Sequence, residues 1–141
     1  MSIVVTPNFH FKGNCSEAIE LYKKVFNAKI LCLFKNEDAN PLDYISDINQ
    51  SSLVYHAEMI IGKTRIMMSD IVEDHKHKEG NSISLVITFD TAKDVKKAYE
   101  ILIKEGNVLS PMQSTTYSSC FVSLIDKFGM RWELMTEQTE V

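Results

Sequence analysis

The 141-residue sequence contains no apolar run approaching the roughly 20 residues that a membrane-spanning helix needs. Its opening apolar stretch, Ile3-Val4-Val5, has no positive charge ahead of it and breaks at Pro7, which is too early for a secretory signal. The expected location is therefore the cytoplasm, with no membrane partner. Basic residues are not in surplus: 15 Lys and Arg stand against 19 Asp and Glu, for a net charge of −4, and no basic cluster stands out. A nucleic-acid partner held by counterion release is excluded on that ground. Cysteine is scarce too. Cys15, Cys32 and Cys120 are odd in number and contain no close pair, so neither a disulfide framework nor a cysteine zinc site is expected.

What is present is ordinary globular material, 45% hydrophobic and 24% charged, of a length that suits one domain. Phe9 and Phe11 alternate with Asn8 and His10 at the period of a half-buried strand. A helix follows, with Asn14 and Glu17 spaced as a capping box, Ala18, Ile19, Tyr22, Val25 and Phe26 at helical spacing, and Asn27 to close it. Lys29 to Lys35 reads as a strand and Asn36 to Ser52 as a long loop. Leu53 to Ile61, a Gly62-Lys63 turn and Thr64 to Ser69 form a hairpin. The charged run Glu73 to Gly80 is a connector within residues 73–81, separating a first module of about 1–72 from a second of about 82–141.

The second half repeats the plan. A strand from Ser84 to Phe89 leads to an N-cap at Asp90 or Thr91, then a helix with Val95, Ala98, Tyr99 and Leu102 inward, ended by Gly106. After Val108-Leu109 and a loop with Pro111 come a strand from Tyr117 to Ile125, the turn Asp126 to Gly129 and a last strand from Met130 to Thr136. Setting Arg65-Ile66-Met67-Met68 against Arg131-Trp132-Glu133-Leu134 places His56 opposite Val122, so the two closing hairpins are expected to share one spacing. The fold class is α+β, two βαβββ modules whose uncovered sheet faces form a cup. Alternation puts Tyr55, Ala57, Met59 and Ile61 toward the helix with His56 and Glu58 opposite, and Trp132 and Leu134 toward the helix with Arg131, Glu133 and Met135 opposite.

Three segments carry a resemblance: Pro7-Asn8-Phe9-His10-Phe11-Lys12-Gly13-Asn14 with Glu17-Ala18 and Tyr22, His56-Ala57-Glu58 with Ser69-Asp70, and Asp126-Lys127-Phe128-Gly129-Met130-Arg131-Trp132-Glu133-Leu134. With the doubled plan, they resemble the vicinal oxygen chelate superfamily of glyoxalases, bleomycin- and fosfomycin-resistance proteins and extradiol dioxygenases. More narrowly, they resemble its PhnB-like branch, once labelled demethylubiquinone methyltransferase-like. Lys127 stands where that branch usually has proline. The resemblance implies a glyoxalase/bleomycin resistance fold, a homodimer and, in metal-dependent members, four ligands. Those four positions fall on Thr6 or Pro7, Met67, Ser84 (Ser82 in a slipped register) and Glu133. One carboxylate alone does not hold zinc, nickel or iron, so no metal or other cofactor is expected. The only alternative donor set would be His56 and Glu133 joined by His10 or Glu58; His75 and His77 read as solvated connector residues.

The candidate catalytic residues are His56 and Glu133, and the candidate ligand-binding residues are His10, Glu58, Arg65, Cys120 and Arg131. His56 suits general acid–base work near neutral pH, or else it simply hydrogen-bonds Glu58 or a loop. Glu133 either acts on a ligand or pairs with Arg65 or Arg131. The two arginines either clamp an anionic ligand or form salt bridges with Glu133 or Glu58. Cys120, in line with Val122 and Leu124, lines the pocket or packs. Tyr117 and the long loop close over a ligand or cover a sheet edge. The expected partner is a small polar molecule, either held unchanged or turned over by a lyase, isomerase or transferase of glyoxalase type. Methyl transfer lacks the glycine-rich strand-to-helix loop that would seat a methyl donor.

Overall fold

A computed structural model describes residues 2–40, 50–71 and 77–137. The chain divides into two compact units, Met1–His77 and Lys78–Val141, and each runs strand, helix and three strands. Stretch 41–49 of the expected loop, residue 72, and stretch 73–76 of the expected connector with His75 lie outside the described residues.

The first unit comprises β1 (Asn8–Phe11), α1 (Cys15–Phe26), β2 (Lys29–Lys35), β3 (Val54–Ile61) and β4 (Thr64–Asp70). Its sheet has the order β1-β4-β3-β2, with β1 parallel to β4 and the other pairs antiparallel. Helix α1 buries Cys15, Ala18, Ile19 and Tyr22, and the Tyr22 ring stands edge-on to Phe9 at 6.3 Å. Asn27 ends the helix in the left-handed conformation, as its residue type predicts.

The helix start differs from the expectation. The Asn14 side chain makes no capping bond. Instead, Asp70 at the end of β4 accepts the Cys15 N–H through Oδ1 and the Val54 N–H through Oδ2, both at 2.9 Å. One buried carboxylate thus satisfies an orphan helix donor and fixes the start of β3. Burial pushes the Cys15 thiol well above the ordinary range, and the charge of Asp70 adds to the effect.

On β3, Ala57, Met59 and Ile61 are buried as expected, but Tyr55 does not share their row. Phe34 pairs with His56 while Lys35 pairs with Val54, so Tyr55 is the extra residue of a β-bulge. Val54 takes the buried place instead, and Tyr55 and His56 stay half-exposed side by side.

The second unit comprises β5 (Leu85–Phe89), α2 (Ala92–Leu102), β6 (Asn107–Gln113), β7 (Phe121–Ile125) and β8 (Arg131–Thr136), in sheet order β5-β8-β7-β6. Thr91 caps α2 by accepting the Asp94 N–H at 3.2 Å. Val95, Ala98 and Leu102 are buried, whereas Tyr99, expected inward, is half-buried. On β8, Trp132 and Leu134 are fully buried and alternate with half-buried Arg131, Glu133 and Met135, as the period of two predicts.

Three boundaries need correction. Pro111 does not interrupt the chain with a loop; it lies inside β6, an edge strand where a missing N–H costs no ladder bond. The strand expected from Tyr117 begins only at Phe121, which leaves Tyr117 in the preceding loop. The hairpins also differ in length: Ile60 pairs with Arg65, five positions on, and Ile125 with Arg131, six positions on. Ala57, opposite Met68, is therefore the counterpart of Val122, opposite Leu134, and His56 is not.

The extra residue sits in the Asp126–Met130 turn. There the buried Asp126 accepts the N–H groups of Phe128 (2.8 Å) and Met130 (3.1 Å) through Oδ1 and the Trp132 indole N–H (2.9 Å) through Oδ2. The Asp-x-Phe-Gly-x-x-Trp pattern is thus a self-contained turn lock, in which Gly129 supplies a positive φ of 89°.

Candidate functional site

The face of the first sheet turned away from α1 carries three linked side chains. His56 Nε2 donates to Glu58 Oε2 at 2.8 Å, and Arg65 Nε donates to Glu58 Oε1 at 2.7 Å. His56 and Glu58 alternate on β3, and Arg65 reaches Glu58 diagonally from β4. The Arg65 hydrogen bond, followed by that of His56, lowers the Glu58 carboxyl to about 2, and Glu58 in turn raises Arg65. Glu58 is thus a fixed anion that orients one imidazole nitrogen. Farther across the sheet, His10 Nδ1 and Ser69 Oγ share a hydrogen bond of 3.2 Å. Ser69 lies opposite His10, and continuing the β3–β4 register by one residue brings His56 opposite Ser69 on its other side.

Beside this group is a surface cavity of about 320 Å³ lined by Phe34, Asp38, Ala39, Asn40, Tyr55 and His56. Its wall is built by the chain leaving β2. A 3-10 turn at Asn36–Asp38 is held by Asn36 N–H to the Leu53 carbonyl (2.9 Å), Asn36 Nδ2 to the Gln50 carbonyl (2.9 Å) and Asp38 Oδ2 accepting the Lys35 N–H (3.1 Å). The two described ends of the long loop are thereby tied together, and the bulge presents Tyr55 and His56 to the cavity.

In the second unit Glu133 takes a different partner from those expected. Ser84 Oγ donates to Glu133 Oε1 at 2.5 Å, while Arg131 Nη1 donates to the Asn81 carbonyl at 2.7 Å. Ser123 lies directly across from Glu133. Cys120 is buried just ahead of β7 and does not join this group; its N–H donates to Ser118 Oγ and its carbonyl accepts the Thr136 N–H. Of the seven candidates, the structure joins His56, Glu58 and Arg65 directly and sets His10 on the same sheet face. Glu133 and Arg131 share a face of the second sheet, and Tyr117 stacks edge-on against Phe121 at 5.8 Å.

The donor set does not fit the metal that the fold family implies. Pro7 is engaged through its carbonyl by the Met67 N–H, Met67 offers a thioether, and the Ser84 hydroxyl occupies one oxygen of Glu133. In the alternative set, a metal between His56 and Glu58 would have to displace the proton that His56 Nε2 donates to Glu58 Oε2, next to the cationic Arg65 on Oε1. Among the described residues, no three His, Cys, Asp or Glu side chains come together as a metal-binding group.

Sequence reasoning offered Asp38 and Asn40 only as part of a loop that closes over a ligand or covers a sheet edge, and it missed Phe34 and Tyr55, because periodicity reports a face and a bulge changes the phase silently. It also missed Ser84 as a direct partner of Glu133, although their places in the parallel β5–β8 pair are two residues apart in register.

The model of the 3-demethylubiquinone-9 3-methyltransferase family matches residues 4–135. Protein YjdN of Escherichia coli K12 is 27% identical over 135 residues, covering 91% of each chain. Protein PA1353 from Pseudomonas aeruginosa superposes with a TM-score of 0.82 at 21% identity over 96% of this chain and 98% of its own. The PhnB protein from Bacillus cereus gives 0.80 at 23% identity over 95% and 99%. The fosfomycin resistance protein FosX from Listeria monocytogenes gives 0.63 at 13% identity over 99% and 97%. At those identities the structures establish the fold, two four-stranded mixed sheets with two helices of the glyoxalase/bleomycin resistance type. Together with the match to nearly the whole sequence, they make this chain a member of the PhnB-like 3-demethylubiquinone-9 3-methyltransferase family.

Proposed function

We propose that this protein binds a small polar molecule in the first-unit cavity, with His56 as its polar anchor. One observation carries the reading: His56 lines a cavity and is held there by Glu58, itself fixed by Arg65. A volume of about 320 Å³ lies at the lower end of ligand sites, which suits a metabolite rather than a macromolecule. A thermal-shift screen of metabolites and antibiotics tests it. A ligand at a hundred times its Kd adds about 2.7 kcal/mol of stability, and His56→Ala removes that gain. A screen in which no compound raises the melting temperature overturns the reading. His10, on the same sheet face, is a further candidate ligand contact, tested by alanine substitution in the same assay; Arg131, Glu133 and Cys120 are candidates in the second unit, tested by their own alanine variants.

The same His56–Glu58 pair favours a second reading, general acid–base catalysis of a lyase, isomerase or transferase kind, for which His56 and Glu133 are the candidate residues. It requires turnover that falls by orders of magnitude in His56→Ala and Glu133→Gln with the fold intact; unchanged rates in both remove it. Methyl transfer, which the family's name describes, finds little support. The strand-to-helix turns are Lys12-Gly13-Asn14 and Asp90-Thr91, and neither is glycine-rich.

The proposed assembly is a homodimer in the cytoplasm. Ile3, Val4, Val5, Leu31, Ile83 and Val86 are exposed, several of them on or beside the edge strands β1, β2 and β5. Light scattering that returns a monomer overturns this. Among the described residues, no helix is long and apolar enough to cross a membrane.

A further inference from the structure

We infer that the first-unit cavity is selective for a small organic cation, an ammonium group on a compact apolar body. This rests on the cavity being a small-molecule site and specifies what that molecule is. Two aromatic rings, Phe34 and Tyr55, share the wall with the carboxylate of Asp38 and the amide of Asn40. Among the described residues that line it there is no lysine or arginine. Arg65, which lies on the neighbouring sheet face, is spent on Glu58 at 2.7 Å, so those two charges cancel and Asp38 is the acidic residue among the described residues lining the cavity.

Geometry makes that charge usable. Asp38 Oδ2 accepts the Lys35 N–H at 3.1 Å, which fixes the carboxylate without neutralising it. Phe34 remains 48% exposed although it is a large aromatic residue. A ring face and a fixed carboxylate attract the same ligand, since both the ring quadrupole and the anion favour positive charge. An anion would be repelled by Asp38, and His56 already directs its Nε2 proton to Glu58. A neutral ligand would gain ring contact but nothing from the carboxylate.

The experiment compares three probes of one shape and three charges at constant ionic strength: choline, 3,3-dimethylbutan-1-ol and 3,3-dimethylbutanoate. Binding to the full chain is read by NMR titration. Choline is expected to bind about tenfold more tightly than the alcohol, and the carboxylate more weakly than either. Asp38→Asn keeps an oxygen for the Lys35 N–H, so the turn persists, and should erase most of the preference between choline and the alcohol. Phe34→Leu should weaken choline more than the alcohol. Equal or tighter binding of the alcohol or the carboxylate overturns the inference. So does failure of all three probes while another compound binds in a His56-dependent manner, an outcome that leaves the cavity reading standing. If nothing in the broader screen binds at all, both fall together.

Discussion

Replacing Asp126 tests whether the closing motif of the second unit is a structural lock. The carboxylate is 3% exposed and accepts three hydrogen bonds, two from backbone N–H groups and one from the indole of Trp132, which is fully buried. In Asp126→Ala the indole N–H is left unpaired in the core, a loss of about 1–3 kcal/mol. The Phe128 and Met130 donors lose an ionised acceptor as well, which brings the total to about 3–5 kcal/mol. That is a large part of the 5–15 kcal/mol that typically stabilises a domain. Asp126→Asn retains Oδ1 for the backbone donors but turns an amide N–H₂ toward the indole N–H, so it should cost about 2 kcal/mol. Urea unfolding followed by the fluorescence of the single tryptophan, Trp132, measures both variants. On a Trp132→Phe background, followed by circular dichroism, the penalty of Asp126→Ala should shrink by about 1–3 kcal/mol, because no indole donor remains to be stranded. A cost below about 1 kcal/mol for Asp126→Ala, or the same cost with and without the indole, refutes the lock.

Other perturbations have equally definite outcomes. Glu58 has a folded pKa lowered from 4.5 to about 2, so the stability it contributes is present above pH 4.5 and is lost as pH falls toward 2. Glu58→Gln should therefore lie below wild type in urea midpoint at pH 7 and converge with it near pH 2; a constant gap across that range contradicts the ion-pair account. Cys15 and Cys120 are buried and Cys32 is half-exposed, so a thiol reagent should label Cys32 in the native protein and the other two only in urea. Rapid native labelling of Cys15 would contradict its placement under Asp70. Gly106→Ala should lower stability by about 2 kcal/mol or more, because an added Cβ would run into the Ile125 carbonyl of the neighbouring strand, and thermal unfolding with no loss would show that strand free to give way.

The repeating plan was legible because its signals are local. Thr91 as a cap, Asn27 as a left-handed terminator, and the alternation of Phe9 with Phe11 and of Trp132 with Leu134 each report the conformation of a few adjacent residues. The pairing of His56 and Arg65 with Glu58 was among the alternatives that strand alternation allows. The bulge at Tyr55 was hidden, since β-branched and aromatic residues continue through it and only the partner strand shows that one residue is extra. The cavity wall depended on that bulge. Pro111 read as a loop because a proline stops a central strand, and nothing near it announces that β6 is at an edge. Asp70 and Ser84 bond to residues 16 to 55 positions away, beyond the reach of any periodic pattern.

The two buried aspartates give the doubled chain an asymmetry in time. The three donors to Asp126 described above lie within six residues, so this part of its lock closes over a short loop. The partners of Asp70 are 16 and 55 residues away, so that bond set forms only when helix, hairpin and parallel strand have all arrived. Two halves with one topology therefore complete their aspartate locks at different stages. The second can close within its last hairpin, whereas the first is complete only once its hairpin has met the helix start.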